Sequence, residues 1–197
     1  ATDKLVAACP ATVIPSSVTV IGDGAFCGCD GLTSIEIPEG VTKIGNGAFN
    51  YCKNLASIVI PASVTEIGDD GNFSLFRGCT SLASVDLGEG LTVIRGNAFK
   101  DCTSLLSLSF PESLTTIDSY AFDNCTSLET LEIPKSFADS GTIGSYPFKN
   151  CTSLEDVIFE QGTTKIPDNF FQGSGITSFD IPNTVTHIGE YAFDSCS

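Results

Sequence analysis

Leu32-Thr33-Ser34-Ile35-Glu36-Ile37-Pro38-Glu39-Gly40-Val41-Thr42-Lys43-Ile44-Gly45-Asn46-Gly47-Ala48-Phe49-Asn50-Tyr51-Cys52-Lys53-Asn54 runs directly into Leu55, where the same order of residue types begins again. In its first part Ile35 and Ile37 share one side while Ser34 and Glu36 take the other, the period-2 pattern of a half-buried strand. Pro38 has no amide hydrogen to give to a ladder, so it ends the strand, and Glu39-Gly40 supplies a turn. Val41-Thr42-Lys43-Ile44 reads as a second short extended piece, and Gly45 bends the chain again. Ala48 to Cys52 is too short for an independent helix and predicts a helical or 3₁₀ turn that tucks Phe49 and Cys52 inward.

The pattern extends over nearly the whole chain. Its Phe recurs as Phe26, Phe49, Phe76, Phe99, Phe122, Phe148, Phe171 and Phe193, at separations of 23, 27, 23, 23, 26, 23 and 22 residues. A unit of this size cannot enclose a core of its own, and periods of ~20 to 29 residues mark stacked coils that share one core. The expected fold is therefore a solenoid of about eight coils, mostly β, with like residues stacked on like. Two coils are longer. Gly68-Asp69-Asp70-Gly71-Asn72-Phe73-Ser74 and Phe137-Ala138-Asp139-Ser140-Gly141 carry the extra residues and read as loops bulging from one flank.

The 197 residues show no linker that would divide the pattern, so residues 1–197 read as a single elongated domain. With 24 acids against 9 bases the formal charge is -15, which disfavours nucleic acid and anionic membrane surfaces as partners. No apolar run reaches the ~18 to 20 residues of a membrane span. The chain begins Ala1-Thr2 without Met and stops at Cys196-Ser197 in the middle of a repeat, which reads as a fragment of a longer protein.

The series Leu32-x-x-Ile35-x-Ile37-Pro38-x-x-Val41-x-x-Ile44-Gly45-x-x-Ala48-Phe49-x-x-Cys52 resembles the BspA-like, or Treponema pallidum-type, leucine-rich repeats, and the likeness covers essentially the whole chain. It departs from the commoner leucine-rich motif, in which Asn follows the strand; here Pro stands at the bend. The resemblance implies a right-handed α/β superhelix with a parallel sheet on its concave face, in secreted or surface proteins of host-associated bacteria and some protozoan parasites. Several such relatives are adhesins for matrix or plasma proteins or for other bacteria. The family has no shared catalytic residues to transfer.

Cysteine is the obvious candidate for chemistry. Cys29, Cys52, Cys79, Cys102, Cys125, Cys151 and Cys196 hold one repeat position, with Ser174 in the seventh copy. A ladder of thiols does not converge on a metal as C-x₂-C spacings do. Parallel side chains also hold stacked Cβ atoms farther apart than the ~3.8 Å a disulfide prefers. Reduced, buried thiols are the expectation, and Cys9 and Cys27, off the ladder, are the pair that could form a bridge. The only histidine, His187, stands where other copies have Lys43, Glu66 or Thr116, a solvent position, so it is not expected to be a catalytic base. Carboxylate pairs such as Glu129 with Glu132, or Asp156 with Asp180, need no explanation beyond an acidic open face. The Gly68 to Asn72 loop has oxygen ligands but falls short of an EF-hand. No catalytic residue, metal or cofactor is expected.

The outward strand positions remain. They form two rows: Ser34, Ser57, Ser84, Ser107, Thr130, Asp156 and Ser178, then Glu36, Val59, Asp86, Ser109, Glu132, Ile158 and Asp180. Small hydroxylic residues let a partner approach closely, and acids steer a basic one. The second row changes from coil to coil, as a binding face would. The expectation is a non-enzymatic extracellular or cell-surface module that binds a protein or glycan, in adhesion. The alternative is a structural spacer that projects other domains from the surface.

Overall fold

The computed structural model describes residues 13–68 and 74–196 and is a parallel β-solenoid. Each coil contributes two short strands to two rows. In the first row, β3 (Ser57–Val59) pairs with β5 (Ser84–Asp86), and β9 (Thr130–Ile133) lies between β7 (Ser107–Ser109) and β11 (Asp156–Phe159). Ser34 extends this row through a parallel bridge to Ser57. The second row consists of two-residue strands: β1 (Val20–Ile21), β2 (Lys43–Ile44), β4 (Glu66–Ile67), β6 (Val93–Ile94), β8 (Thr116–Ile117), β10 (Thr142–Ile143), β12 (Lys165–Ile166) and β13 (His187–Ile188). Every pairing is parallel, as a chain winding always in one direction requires. Among the described residues six coils carry both rows, and one further second-row strand lies at each end. The eight Phe-marked copies thus correspond to six full coils between two partial ones.

The third side of each coil differs from the expected helical or 3₁₀ turn. Ala48 to Cys52 is a run of hydrogen-bonded turns in which donors alternate in direction. The N–H groups of Ala48, Asn50 and Cys52 donate within the coil to Gly45 O, Gly47 O and Phe49 O. Those of Phe49 and Tyr51 donate to Leu75 O and Arg77 O of the next coil. A 3₁₀ turn would have satisfied every donor locally and left this side without bonds between coils. The alternation needs a left-handed residue on each side of Ala-Phe. Gly24, Gly47, Asn97, Tyr120, Tyr146, Asn169 and Tyr191 fill the first such position; Gly28, Tyr51, Gly78, Asp101, Asn124, Asn150, Gly173 and Ser195 fill the second, all with φ between 55° and 73°.

Behind the rows lies one continuous core. Phe26, Phe49, Phe76, Phe99, Phe122 and Phe148 form a column of stacked rings with centroids 5.2–5.5 Å apart. The column then changes character. Phe170 meets Phe148 and Phe171 edge-on, at 5.5 and 4.7 Å, before stacking resumes between Phe171 and Phe193.

The cysteine column follows beside it. Cys52, Cys79, Cys102, Cys125 and Cys151 are free and buried, as the repeat position implies. Each donates its thiol to the carbonyl of the Phe one coil earlier: Cys52 Sγ to Phe26 O at 3.0 Å, through to Cys151 Sγ to Phe122 O at 3.2 Å. Burial pushes the Cys52 thiol up to about 11 and those of Cys79, Cys102 and Cys125 well above the usual thiol range, so all remain protonated and inert. Ser174, itself buried, continues the column, and Cys196 follows it as a free thiol that is half-buried rather than buried and donates to Phe171 O at 3.1 Å. Two expectations are corrected here. Cys29, a ladder member, is disulfide-bonded, and Cys27, expected to be available for a bridge with Cys9, is free and exposed. Cys29 stands at the start of the described part of the ladder, and the positions one repeat before Phe26 lie outside the described residues. Cys9 lies outside the described residues.

The second long coil also departs from expectation. Its extra residues form a helix, α1 (Lys135–Ser140), rather than a bulging loop, because Phe137 and Ala138 face the core. Phe137 packs against Phe110 and Phe170, at 5.8 and 6.3 Å between centroids. Asp139 ties the helix to the next coil. Its Oδ1 accepts from Thr164 N (2.8 Å), Thr164 Oγ1 (3.0 Å) and Lys165 N (3.1 Å), while Oδ2 pairs with the Lys135 ammonium. Desolvation pulls this carboxyl upward, but the Lys135 ammonium and the Thr164 donors outweigh it and hold the pKa at about 2. A carboxylate whose pKa is lower in the folded chain stabilises it above the unfolded value of ~3.9, and that contribution is lost as pH falls through 2. Asp139→Ala is expected to lower stability by about 1–3 kcal/mol at pH 7. Urea titrations of both proteins between pH 7 and pH 2 should show the difference shrinking below about pH 4.

Candidate binding face

The residues that the sequence places on the open strand face lie where lateral pairing can align them. Ser34, Ser57 and Ser84 are in register, as are Ser107, Thr130 and Asp156. In the second row Val59 lies beside Asp86, and Ser109, Glu132 and Ile158 lie side by side. All are exposed except Thr130, which is half-buried. Glu36, Ser178 and Asp180 are exposed too, but they fall outside the paired strands, so the ladder does not hold them in register with the others. The alternation in each strand causes this arrangement: Ile58, Leu108 and Leu131 point into the core, so their neighbours must point out.

The face is acidic with isolated aliphatic points. Val59 is 55% and Ile158 52% exposed, both among polar neighbours. Asp86 is partly engaged, since its Oδ1 accepts the N–H of Gly88 at 3.0 Å. Glu132 reaches solvent between the small Ser109 and the aliphatic Ile158. Two acids at the edge of this face escaped the sequence reading: Glu112, after Pro111, and Glu160, which stands where other coils have Pro. A signal was present, since Glu39 and Glu89 hold the same post-strand position as Glu112.

The opposite, turn-bearing flank holds a different chemistry. Tyr120 and Tyr146 stack at 5.7 Å, with the Lys149 ammonium 5.8 and 5.4 Å from their ring centres. Below them Asn124 and Asn150 donate to Asp101 and Asp123, and Lys100 pairs with Asp123 at 2.7 Å. These groups satisfy one another, which makes the flank a lateral brace between coils.

His187 is exposed in β13 and pairs laterally with Lys165. Among the described residues no group of three His, Cys, Asp or Glu is placed to hold a metal ion, and no helix is long and apolar enough to cross a membrane. Of the Gly68 to Asn72 loop, residues 69–72 lie outside the described residues.

A profile of the BspA type leucine-rich repeat region matches residues 8–75 and 72–197, in six copies. No curated protein sequence matches the chain. Among solved structures, a leucine-rich repeat protein of Treponema pallidum is 28% identical with a TM-score of 0.55, over 90% of this chain and 68% of that one. One from Bacteroides ovatus is 30% identical with a TM-score of 0.52, over 93% of this chain and 57% of that one. The pneumococcal vaccine antigen PcpA shares the fold alone, at 18% identity and a TM-score of 0.55 over 80% of this chain and 36% of its own. The chain thus spans little more than half of the Bacteroides protein. With the repeat, the stacked Phe and Cys columns and the matched profile all in agreement, the chain belongs to the BspA-type leucine-rich-repeat family.

Proposed function

We propose that the chain is a non-enzymatic binding module of an extracellular or cell-surface protein, and that it mediates adhesion through its first-row strand face. The observation that carries this reading is the contrast between the two sides of one strand row. Inward positions repeat nearly without change, whereas the outward second row passes from Val59 to Asp86 and from Ser109 to Glu132 to Ile158. A face that only had to be wet would tolerate the same polar residue in every coil. The leucine-rich repeat family supports protein binding, and the acidic balance favours a partner with a basic surface. The rows contain no aromatic residue, the usual source of concentrated binding energy, so single contacts are weak and several copies acting together would supply avidity.

The test is a screen of the purified chain against matrix proteins, plasma proteins and glycans, beside a variant with Glu36, Asp86, Glu132 and Asp180 all changed to Lys. Saturable binding that the variant loses by at least tenfold, while keeping its circular dichroism spectrum, is the expected result. Absence of binding to every member of the panel would favour the second reading, a spacer that projects other domains; the lack of aromatic anchors is the observation on that side.

A further inference from the structure

Beside the second outward row, where it meets the strand exits, three consecutive coils form a depression of about 260 Å³ lined by Ser109, Phe110, Glu112, Glu132, Ile133, Pro134, Ile158 and Glu160. Its floor is apolar. Phe110 is 5% and Ile133 2% exposed, Pro134 is buried, and the accessible flank of Ile158 forms one wall. Its rim is three carboxylates, one from each coil: Glu112, Glu132 and Glu160. Two of these are held in place from outside the depression. Glu112 Oε2 accepts from Ser136 Oγ at 2.6 Å, and Glu160 Oε2 accepts from Lys135 N at 2.7 Å, so α1 orients both. Neither bond brings a positive charge, because the Lys135 ammonium is directed to Asp139. The rim therefore concentrates negative charge over an apolar floor.

We propose that this depression receives one arginine or lysine side chain from a basic segment of a partner protein. The proposal rests on the reading of the strand face as a protein-binding surface and adds the chemistry of the partner. Long basic side chains carry an apolar stem and a charged head, and they lie along apolar surface with the head in a polar rim. The accessible flank of Ile158 offers the stem such a surface above the covered Phe110 and Pro134, and the carboxylates accept from the head. Arginine is the better fit, since its planar fork can engage two carboxylates at once and is more weakly hydrated than an ammonium. Ser109 on the near side is small enough to let the partner backbone approach. The volume lies below the ~300 to 1,000 Å³ usual for small-molecule sites, which suits a single side chain rather than a free metabolite. The nearly covered Phe110 ring offers no exposed platform on which a sugar could stack.

The experiment is a titration of isotopically labelled chain with N-acetyl-arginine amide, followed by amide chemical shifts, with N-acetyl-lysine amide and the uncharged N-acetyl-citrulline amide as comparisons. Saturable shifts centred on Ser109, Glu132 and Ile158 are expected with the arginine probe, weaker ones with lysine and none with citrulline. Glu132→Gln should weaken arginine binding about fivefold, and the triple change Glu112→Gln, Glu132→Gln, Glu160→Gln should abolish it. Glu190→Gln, an equal charge change on the turn side, should leave it unaltered. Shifts spread over the acidic surface at large, equal responses to citrulline, or an unchanged affinity in the triple variant with an intact spectrum would each overturn the proposal. Absence of any saturable shift would overturn it as well. The partner screen is read separately. A protein ligand found without arginine binding at this depression would sink the slot and leave the binding face standing; localised arginine binding without any panel ligand would do the reverse.

Discussion

Phe122→Ala is expected to lower stability by about 3–5 kcal/mol, a large share of what a domain of this size possesses. The ring is fully buried and touches three others: Phe99 at 5.2 Å and 2° between planes, Phe148 at 5.2 Å and 9°, and Phe110 at 6.1 Å. Removing it forfeits the transfer energy of the ring and leaves a cavity that neighbours one coil above and below cannot close without losing their own registers. Stability in a stack of coils is a sum of intrinsic terms and nearest-neighbour interfaces, so a central substitution weakens two interfaces at once. Phe193→Ala, in a half-buried ring with fewer neighbours, should cost only about 1–2 kcal/mol. Urea unfolding followed by circular dichroism separates the cases: a central loss clearly exceeding the terminal one is expected, and equal losses would mean that the column does not act through its interfaces.

Gly88→Ala should cost about 2–5 kcal/mol although it adds a single methyl group. Gly88 stands where six other copies have Pro15, Pro38, Pro61, Pro111, Pro134 and Pro182, but its φ is +60°, which proline cannot adopt and which costs other L-residues ~1–2 kcal/mol. A Cβ built there would lie 2.2 Å from the carbonyl oxygen of Ile60 in the preceding coil, an overpacking that adds ~1–3 kcal/mol because the obstacle is backbone. The Asp86 carboxylate, which accepts the Gly88 N–H, holds the turn in this form. Gly22→Ala is the contrast: φ there is not positive and no atom lies within 4 Å of the added carbon, so thermal melting should be unchanged or slightly raised. A Gly88→Ala protein that melts like the parent would show that this turn can relax to the form its proline-bearing neighbours use.

The period and the residue types within one repeat were enough to place both strand rows, the Phe column and most of the Cys column, because in a stack each position is confirmed by its copies above and below. What escaped reading was whatever the copies do not share. The helix at Lys135–Ser140 exists because Phe137 has a place among Phe110 and Phe170, and no other coil has an equivalent residue to announce it. Cys29 looked like its six ladder partners, and nothing within the repeat marked it as the member that is disulfide-bonded. The alternating turn was legible after the fact: Gly, Asn, Asp and Tyr cluster at the two left-handed positions around Ala-Phe, but Tyr is an unusual occupant and hid the pattern. Within the candidate binding face, the rows were readable from alternation alone. The edge acids Glu112 and Glu160 were not, since they lie beyond the strand, where alternation stops.

The bonds between coils run in both directions along the stack. On the turn side, Phe26, Phe49, Phe76 and Phe99 all donate forward, to carbonyls of the following coil. At the exits of the second row, Gly45, Arg95, Asp118, Gly144 and Gly189 donate backward, to Ile21, Ile67, Ile94, Ile117 and Ile166. The peptide dipoles of these two sides oppose one another, so they do not sum along the axis as they do in an α-helix. A solenoid built this way develops no charged end as coils are added, and lengthening it carries no electrostatic penalty from its own backbone. The net charge of such a stack is therefore that of its side chains, which in this chain is formally -15.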